Sequence, residues 1–202
     1  MAKLQFDCNR LYQDYVDLVQ SYTIDGVVLP GQDLTDTSYG SFIDLISEVM
    51  YGKYGVASPD IIGSVKIAIV ETINLFKDLR YGVSRIYGGL CAFFESIGNG
   101  YKDLDDTAFY KFVDIVGEYS VGELIKEPVS VSAAHYIGLF DLESDVFAGK
   151  YGELSKDEFG VVNNYFNSLV LLINSWTEEI VKVFDNLQFN GRVNNERHQD
   201  CV

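Results

Sequence analysis

The chain of 202 residues is poor in basic residues and in proline. Its 15 Lys and Arg oppose 30 Asp and Glu, and the formal net charge of −15 argues against a nucleic-acid binder with a basic face. The same charge argues against docking on anionic lipid. Three prolines exclude a proline-rich or collagen-like architecture, while 48% hydrophobic residues are too many for a disordered chain.

Cysteine and histidine are also scarce. The three cysteines, Cys8, Cys91 and Cys201, lack C-x-x-C spacing, so we expect reduced thiols and a cytoplasmic protein, not a disulfide framework. Two isolated histidines, His135 and His198, make no zinc pattern with them. Because nucleophile and phosphate-loop motifs are missing too, we expect no enzyme activity, no catalytic residue, no cofactor and no metal.

Long apolar runs are lacking as well. The longest uncharged stretch, residues 159–176, contains four asparagines, which are costly in lipid. The first 12 residues contain no apolar signal segment. We therefore expect a soluble protein without a membrane partner, in which residues 159–176 form a buried helix face.

The sequence does contain an internal repeat. Residues 39–65 and 136–162 align without a gap at an offset of 97 and are identical at 13 of 27 positions. Matching apolar positions continue to Leu90 and Leu187. The pattern predicts a tandem duplication within one compact domain: a first helical repeat at 1–100, a second at 101–190, and a polar C-terminal tail at 191–202.

Each copy is predicted to contain three helices. Helix A covers about 9–22 and 106–119, and helix B about 39–51 and 132–148. Helix C begins after a serine in both copies. Ser58 precedes Pro59, which favours the first position of a helix, and Ser155 with Glu158 forms a capping box.

Helix C has apolar residues at a 4-3-4-3 spacing in both copies, which is typical of a heptad seam. The seam residues are Val65, Ile69, Thr72, Phe76, Leu79, Val83, Ile86 and Leu90, then Val162, Phe166, Leu169, Ile173, Trp176, Ile180, Val183 and Leu187. Glycines at 82, 88 and 89 weaken the first seam, so we expect a kink near Gly82 or an end at Gly88.

These patterns predict an all-α fold in which two copies of a three-helix unit form a pseudo-two-fold helical bundle around two long central helices. One copy alone would leave its apolar seam exposed to solvent, whereas packing the two copies together buries it. The seams can meet within one chain, giving a monomer, or between chains, giving a homodimer through the long helices.

Acidic residues are concentrated in two segments. Residues 1–50 contain 8 acids and 2 bases, and residues 103–158 contain 13 acids and 4 bases. Such a surface either keeps the protein soluble or binds a basic protein partner. The candidate partner-binding residues are Asp103, Asp105, Asp106, Glu118, Glu123, Glu127, Asp141, Glu143 and Asp145.

A Gly-Lys-Tyr-Gly turn before helix C is the most specific local motif, at residues 52–55 and 149–152. Lys53 or Lys150 could hold an anion at the start of that helix. We favour a structural turn, in which the first glycine ends helix B in a left-handed conformation and Tyr54 or Tyr151 packs over the long helix. The repeated acids Asp17 and Asp44 could pair with Lys53 or with tyrosine hydroxyls.

The expected function is that of a non-enzymatic acidic interaction module, meaning an adaptor, an inhibitor or an assembly subunit. One alternative is an acidic decoy that mimics nucleic acid and blocks a DNA- or RNA-binding protein, without binding nucleic acid itself. A third hypothesis is a small apolar ligand in the cleft between the repeats.

Overall fold

The computed structural model describes residues 5–28, 39–98, 107–125 and 136–199, and every regular element in them is a helix. The first half contains α1 (Cys8–Gln20), α2 (Ile24–Val28), α3 (Gly40–Met50) and α4 (Pro59–Gly98). The second half contains α5 (Thr107–Gly117), α6 (Val121–Ile125), α7 (Ile137–Phe147) and α8 (Lys156–Gln199). The all-α prediction is therefore confirmed for these ranges.

The three predicted helices of each half are present as α1, α3 and α4, and as α5, α7 and α8. The predicted starts of the second A and B helices, at 106 and 132, lie outside the described residues. The structure adds α2 and α6, each of five residues, which are too short to carry a periodic pattern. Within the described ranges each half therefore has four helices, and the expectation of a three-helix unit was incomplete.

Corresponding elements keep the offset of the sequence repeat. The starts of α2 and α6, of α3 and α7, and of α4 and α8 are each separated by 97 residues. The left-handed glycines Gly52 and Gly55, with φ of 82° and 98°, correspond to Gly149 and Gly152, with φ of 76° and 116°. The predicted role of these glycines in the turn is confirmed.

Both predicted caps of the long helices form. The amide of Ile61 donates to Oγ of Ser58 at 3.3 Å. In the capping box, the Glu158 amide donates to Oγ of Ser155 at 3.3 Å, and the Ser155 amide donates to Oε2 of Glu158 at 2.6 Å. These bonds satisfy amides that have no partner within the first turn of a helix.

The long helices α4 and α8 lie antiparallel at the centre of the molecule. All predicted seam residues are buried except Ile86, which is half-buried. Phe76 stacks on Trp176 with 5.3 Å between ring centroids, and Nε1 of Trp176 donates to the carbonyl of Leu75 at 2.9 Å. The polar seam residue Thr72 is satisfied by the hydroxyl of Tyr15. Within one chain, the two seams cover each other.

The prediction that α4 ends at Gly88 is wrong, because the helix continues without interruption from Pro59 to Gly98. Glycine instead permits close approach to α8. A Cβ at Gly82 would lie 2.5 Å from Cδ2 of Leu172, and one at Gly89 would lie 2.6 Å from Cε1 of Tyr165. The tight packing of the two helices at these positions offsets the low helix propensity of glycine.

Residues 191–199 of the predicted tail at 191–202 continue α8, which extends to Gln199. The last residue of α4, Gly98, corresponds to residue 195 of the second half, so both long helices continue beyond the end of their seams. Glu, Arg and Gln in residues 191–199 are good helix formers, so a polar sequence without a seam still continues the helix.

Contacts between the halves occur in reciprocal pairs. The amide of Ile24 donates to the carbonyl of Tyr119, and the amide of Val121 donates to the carbonyl of Tyr22, both at 2.9 Å. These two bonds are equivalent in the repeat, because Ile24 corresponds to Val121 and Tyr22 corresponds to Tyr119 at the offset of 97. The edge-to-face ring pairs Tyr15–Phe184 and Tyr87–Phe112, at 5.5 Å and 5.7 Å, are related in the same way. The helices show the same relation, since α1 packs on α8 and α5 packs on α4.

Candidate functional site

An open acidic groove lies between α1 and α3 of the first half. Its volume is about 420 Å³. The lining includes four carboxylates and one lysine, together with Ser41 and the ring of Tyr54. The charged residues are Asp14, Asp17, Asp44, Glu48 and Lys53, and we call this surface the acidic groove.

The Gly-Lys-Tyr-Gly turn shapes the end of the acidic groove. After Gly52 adopts its left-handed conformation, the amide of Lys53 donates to the carbonyl of Glu48 at 3.0 Å. The carbonyl of Tyr54 then accepts from the amide of Asp7 at 2.7 Å. The turn thus returns to the start of α1, where the buried Tyr54 ring meets Phe6 at 6.5 Å. Tyr54 therefore packs against the start of α1, and this contact orients its hydroxyl.

Two carboxylates share the Tyr54 hydroxyl and the Lys53 ammonium. Tyr54 donates to Oδ2 of Asp14 at 2.7 Å and lies 3.2 Å from Oε2 of Glu48. Burial, reinforced by hydrogen bonds and repulsion from these carboxylates, raises the pKa of Tyr54. Nζ of Lys53 lies 2.7 Å from Glu48 and 3.6 Å from Asp14. The expected pairing of Lys53 with Asp17 or Asp44 is absent from the described contacts, because Glu48 and Asp14 lie closer to it.

The anion-binding alternative for Lys53 is disfavoured by these contacts. Its ammonium already faces two carboxylates, which would repel an incoming phosphate or carboxylate. Asp17 accepts a hydrogen bond from Nε2 of Gln13 at 2.7 Å, and Asp44 is exposed on α3. The acidic groove therefore retains carboxylates that can meet a cation.

The corresponding surface of the second half has a different charge. Lys111 occupies the position of Asp14, and its Nζ donates to the hydroxyl of Tyr151 at 3.0 Å. Lys150 lies 2.5 Å from Oδ2 of Asp145, and this hydrogen bond raises the lysine pKa. With two lysines beside Asp114, Asp141 and Asp145, this surface is less acidic than the acidic groove.

The acids predicted from the charge count that the structure describes lie in three places: after α5, on α6 and on α7. Asp103, Asp105, Asp106 and Glu127 lie outside the described residues. Glu118 follows α5 and Glu123 lies on α6, both exposed. Asp141, Glu143 and Asp145 lie on α7, where burial raises the pKa of Glu143.

The sequence prediction missed Asp14 and Glu48, the two acids that bind Tyr54. The repeat marks only one of them, since Asp145 matches Glu48 but Lys111 replaces Asp14. The signal in the sequence was their spacing from the repeated acids. Asp14 and Asp17 lie three apart, and Asp44 and Glu48 lie four apart, which places each pair on one helix face.

The described residues contain no group of three or more His, Cys, Asp and Glu side chains that could hold a metal ion. Nor does any helix in the described ranges have the length and apolarity to cross a membrane. An apolar cavity between α1, α4 and α8, lined in part by Leu11, Val65 and Leu187, measures about 20 Å³. It has room for about one water molecule, so an apolar ligand there would require the helices to move.

No protein-family model matches the chain, and neither does any characterised protein or solved structure. The function must therefore be inferred from the charges and surfaces described above.

Proposed function

We propose that this protein is a non-enzymatic, acidic interaction module that binds a basic segment of a protein partner in the acidic groove. An adaptor, an inhibitor or an assembly subunit of the cytoplasm would have this property. The observation that carries the proposal is the excess of four carboxylates over one lysine along a single groove. A net charge of −15 would also accelerate the encounter with a basic partner.

The chemistry of the acidic groove suits lysine and arginine side chains. Asp17 and Asp44 are exposed, so a cation can reach them without moving the helices. Charge-assisted hydrogen bonds between such carboxylates and a guanidinium or ammonium are stronger than neutral ones. The groove is open to solvent, so this binding should weaken as salt is added.

We further infer that the two halves derive from a tandem duplication and are related by a pseudo-two-fold axis. The supporting observations are the ungapped repeat and the reciprocal bonds of Ile24 with Tyr119 and of Val121 with Tyr22. A two-fold axis generates contacts of this reciprocal kind. Since each half covers the seam of the other, the same inference favours a monomer.

Binding of a lysine decapeptide, measured by fluorescence anisotropy at low and high salt, tests the proposed function. The variant Asp17→Asn/Asp44→Asn should weaken binding by about tenfold, in line with the loss of two charge contacts. The control Glu178→Gln/Asp185→Asn removes two exposed charges from α8 and should change the affinity by less than about twofold. Equal effects of the two variants would contradict the acidic groove as the binding site.

The decoy alternative predicts a different class of partner. Proteins retained on the immobilised chain would be DNA- or RNA-binding proteins, and added duplex DNA would displace them. Retention that is unaffected by duplex DNA favours the interaction module.

A further inference from the structure

The helices α3 and α7 each expose a strip of large apolar side chains. On α3 and the residue that follows it, Ile43, Met50 and Tyr51 are 47%, 58% and 90% exposed. On α7, the exposed fractions of Ile137, Phe140 and Phe147 are 57%, 40% and 73%. We call these two surfaces the α3 strip and the α7 strip.

Both strips lie outside the buried face of their helix. The buried residues of α3 are Phe42, Leu45 and Val49, and those of α7 are Leu139, Leu142 and Val146. A helix that packs on a core through one face normally presents polar residues on the other. The exposed positions of α1 follow that rule, since they are Asn9, Arg10, Gln13 and Asp17.

Two residues of each strip occupy the same positions of the internal repeat. Ile43 corresponds to Phe140, and Met50 corresponds to Phe147. The residues differ between the halves, yet all four are apolar and exposed. The Phe147 ring also packs edge-to-face with the ring of Phe159, with 4.8 Å between the ring centroids, and this contact restricts its position. A fixed aromatic side chain can bind a partner with little loss of conformational entropy.

One exposed carboxylate stands beside each strip: Asp44 follows Ile43, and Asp141 follows Phe140 at the same repeat position. Glu48 and Asp145 lie one turn further along the same helices. Glu48 and Asp145 pair with lysines of the turn. Asp44 and Asp141 are exposed and make no ion pair with any residue that the structure describes.

We propose that each strip docks an amphipathic helix of a partner protein, whose apolar face covers the strip and whose lysines or arginines meet Asp44 or Asp141. This inference rests on the proposed function and adds the form of the partner and a second binding surface. An apolar strip with an acidic edge is complementary to a helix with one apolar and one basic face. A second copy of this chain fits less well, because it would oppose acids to acids at a net charge of −15 for each chain.

The test uses a fluorescent peptide of about 18 residues of leucine and lysine, with leucine at helical spacing, and a scrambled peptide of the same composition. Calorimetry should give two bound helical peptides per chain. Phe140→Ser/Phe147→Ser should weaken one site by about tenfold or more, and Ile43→Ser/Met50→Ser should do the same to the other. The control Leu171→Ser/Phe189→Ser alters two apolar side chains of α8 that are 68% and 67% exposed, and should leave both sites intact.

The fluorescence of Trp176, the single tryptophan, reports whether each variant keeps its fold. Equal binding of the scrambled peptide, or two sites of unchanged affinity in both strip variants, would overturn the strips as docking surfaces. If both peptides then still bind and only Asp17→Asn/Asp44→Asn weakens them, the proposed function stands and this inference fails. If neither peptide binds at low salt, both fail. A dimer seen by sedimentation that Phe140→Ser/Phe147→Ser dissociates would assign the α7 strip to a second copy and overturn the proposal.

Discussion

Tyr136 donates its hydroxyl hydrogen to Oδ1 of Asn174 across 3.1 Å. Tyr39, at the same repeat position of the first half, has no hydrogen-bond partner among the described residues, and Lys77 stands where Asn174 would be. Both tyrosines are 2% exposed. Burial raises the pKa of Tyr39 to about 12. The two halves therefore pack the same ring in the same place, but only the second half satisfies its hydroxyl.

This difference predicts opposite effects of one substitution. Tyr39→Phe removes a buried hydroxyl without a partner, so the free energy of unfolding should stay the same or rise by up to about 1 kcal/mol. Tyr136→Phe removes a hydrogen bond and leaves Asn174 unpaired, which should cost about 1 kcal/mol or more. Urea unfolding followed by Trp176 fluorescence measures both. A larger loss for Tyr39→Phe than for Tyr136→Phe would contradict the assignment.

Adjacent glycines of α4 should also respond in opposite directions. A Cβ at Gly88 would meet nothing within 4 Å, so Gly88→Ala should stabilise the protein by about 0.5–1 kcal/mol through helix propensity. A Cβ at Gly89 would meet the Tyr165 ring, and Gly89→Ala should cost about 1–3 kcal/mol through overpacking. Thermal unfolding measures both variants. In the background of Tyr165→Ala the cost of Gly89→Ala should largely vanish, and an unchanged cost there would point to a cause other than this contact.

Much of the fold could be predicted because its signals are local. The seam of α8 follows a 4-3-4-3 spacing that a single helix displays, and all eight of its residues are buried. The cap at Ser155 needs only four consecutive residues. The function of Gly82 and Gly89 could not be predicted in this way, since it depends on Leu172 and Tyr165 of another helix. From the sequence alone, such glycines predict only a less stable helix, because their helix propensity is low.

The acidic groove was harder to predict, because packing of α1 against α3 creates it. Asp17 and Asp44 were identified as repeated acids, but the approach of the α1 pair of acids to the α3 pair depends on the contact between those helices. A count of charges along the chain favoured residues 103–158, where the described acids lie on different elements and Asp145 is paired with Lys150. A hydropathy pattern also does not predict that the strips are exposed. Apolar residues at 43 and 50 are read as core until the direction of the helix is known.

Removal of the groove lysine should strengthen the binding of a basic peptide. Lys53 is 38% exposed, and exposed ion pairs contribute about 0.2–1 kcal/mol, so Lys53→Met should change stability by less than about 1 kcal/mol. The same change removes the one lysine that lines the acidic groove, and affinity for the lysine decapeptide should rise about twofold to fivefold at low salt. Lys150→Met is the matched variant of the second half, where Lys111 remains and the gain should be smaller. Anisotropy titrations measure both, and a loss of affinity with Lys53→Met would contradict the proposed site.

The buried and half-buried tyrosines predict an alkaline limit to stability. Burial raises the pKa of seven of them, namely Tyr15, Tyr22, Tyr39, Tyr54, Tyr87, Tyr119 and Tyr136. An unfolded tyrosine loses its proton near pH 10, whereas the folded state keeps these hydroxyls neutral. The unfolded state therefore binds fewer protons above that pH, so the stability present below about pH 10 falls as the pH rises further.

The expected titration is cooperative for these side chains. The tyrosinate absorbance of the seven residues should appear together with the loss of helical circular dichroism, because ionisation and unfolding are linked. Tyr15→Phe removes one of the groups whose pKa is raised by burial, so the free energy of unfolding should fall less steeply above about pH 10. The same substitution also removes the hydrogen bond to Thr72. Tyr51→Phe removes a hydroxyl from a side chain that is 90% exposed and serves as the control. Full ionisation of all tyrosines in a still helical protein would contradict burial as the cause.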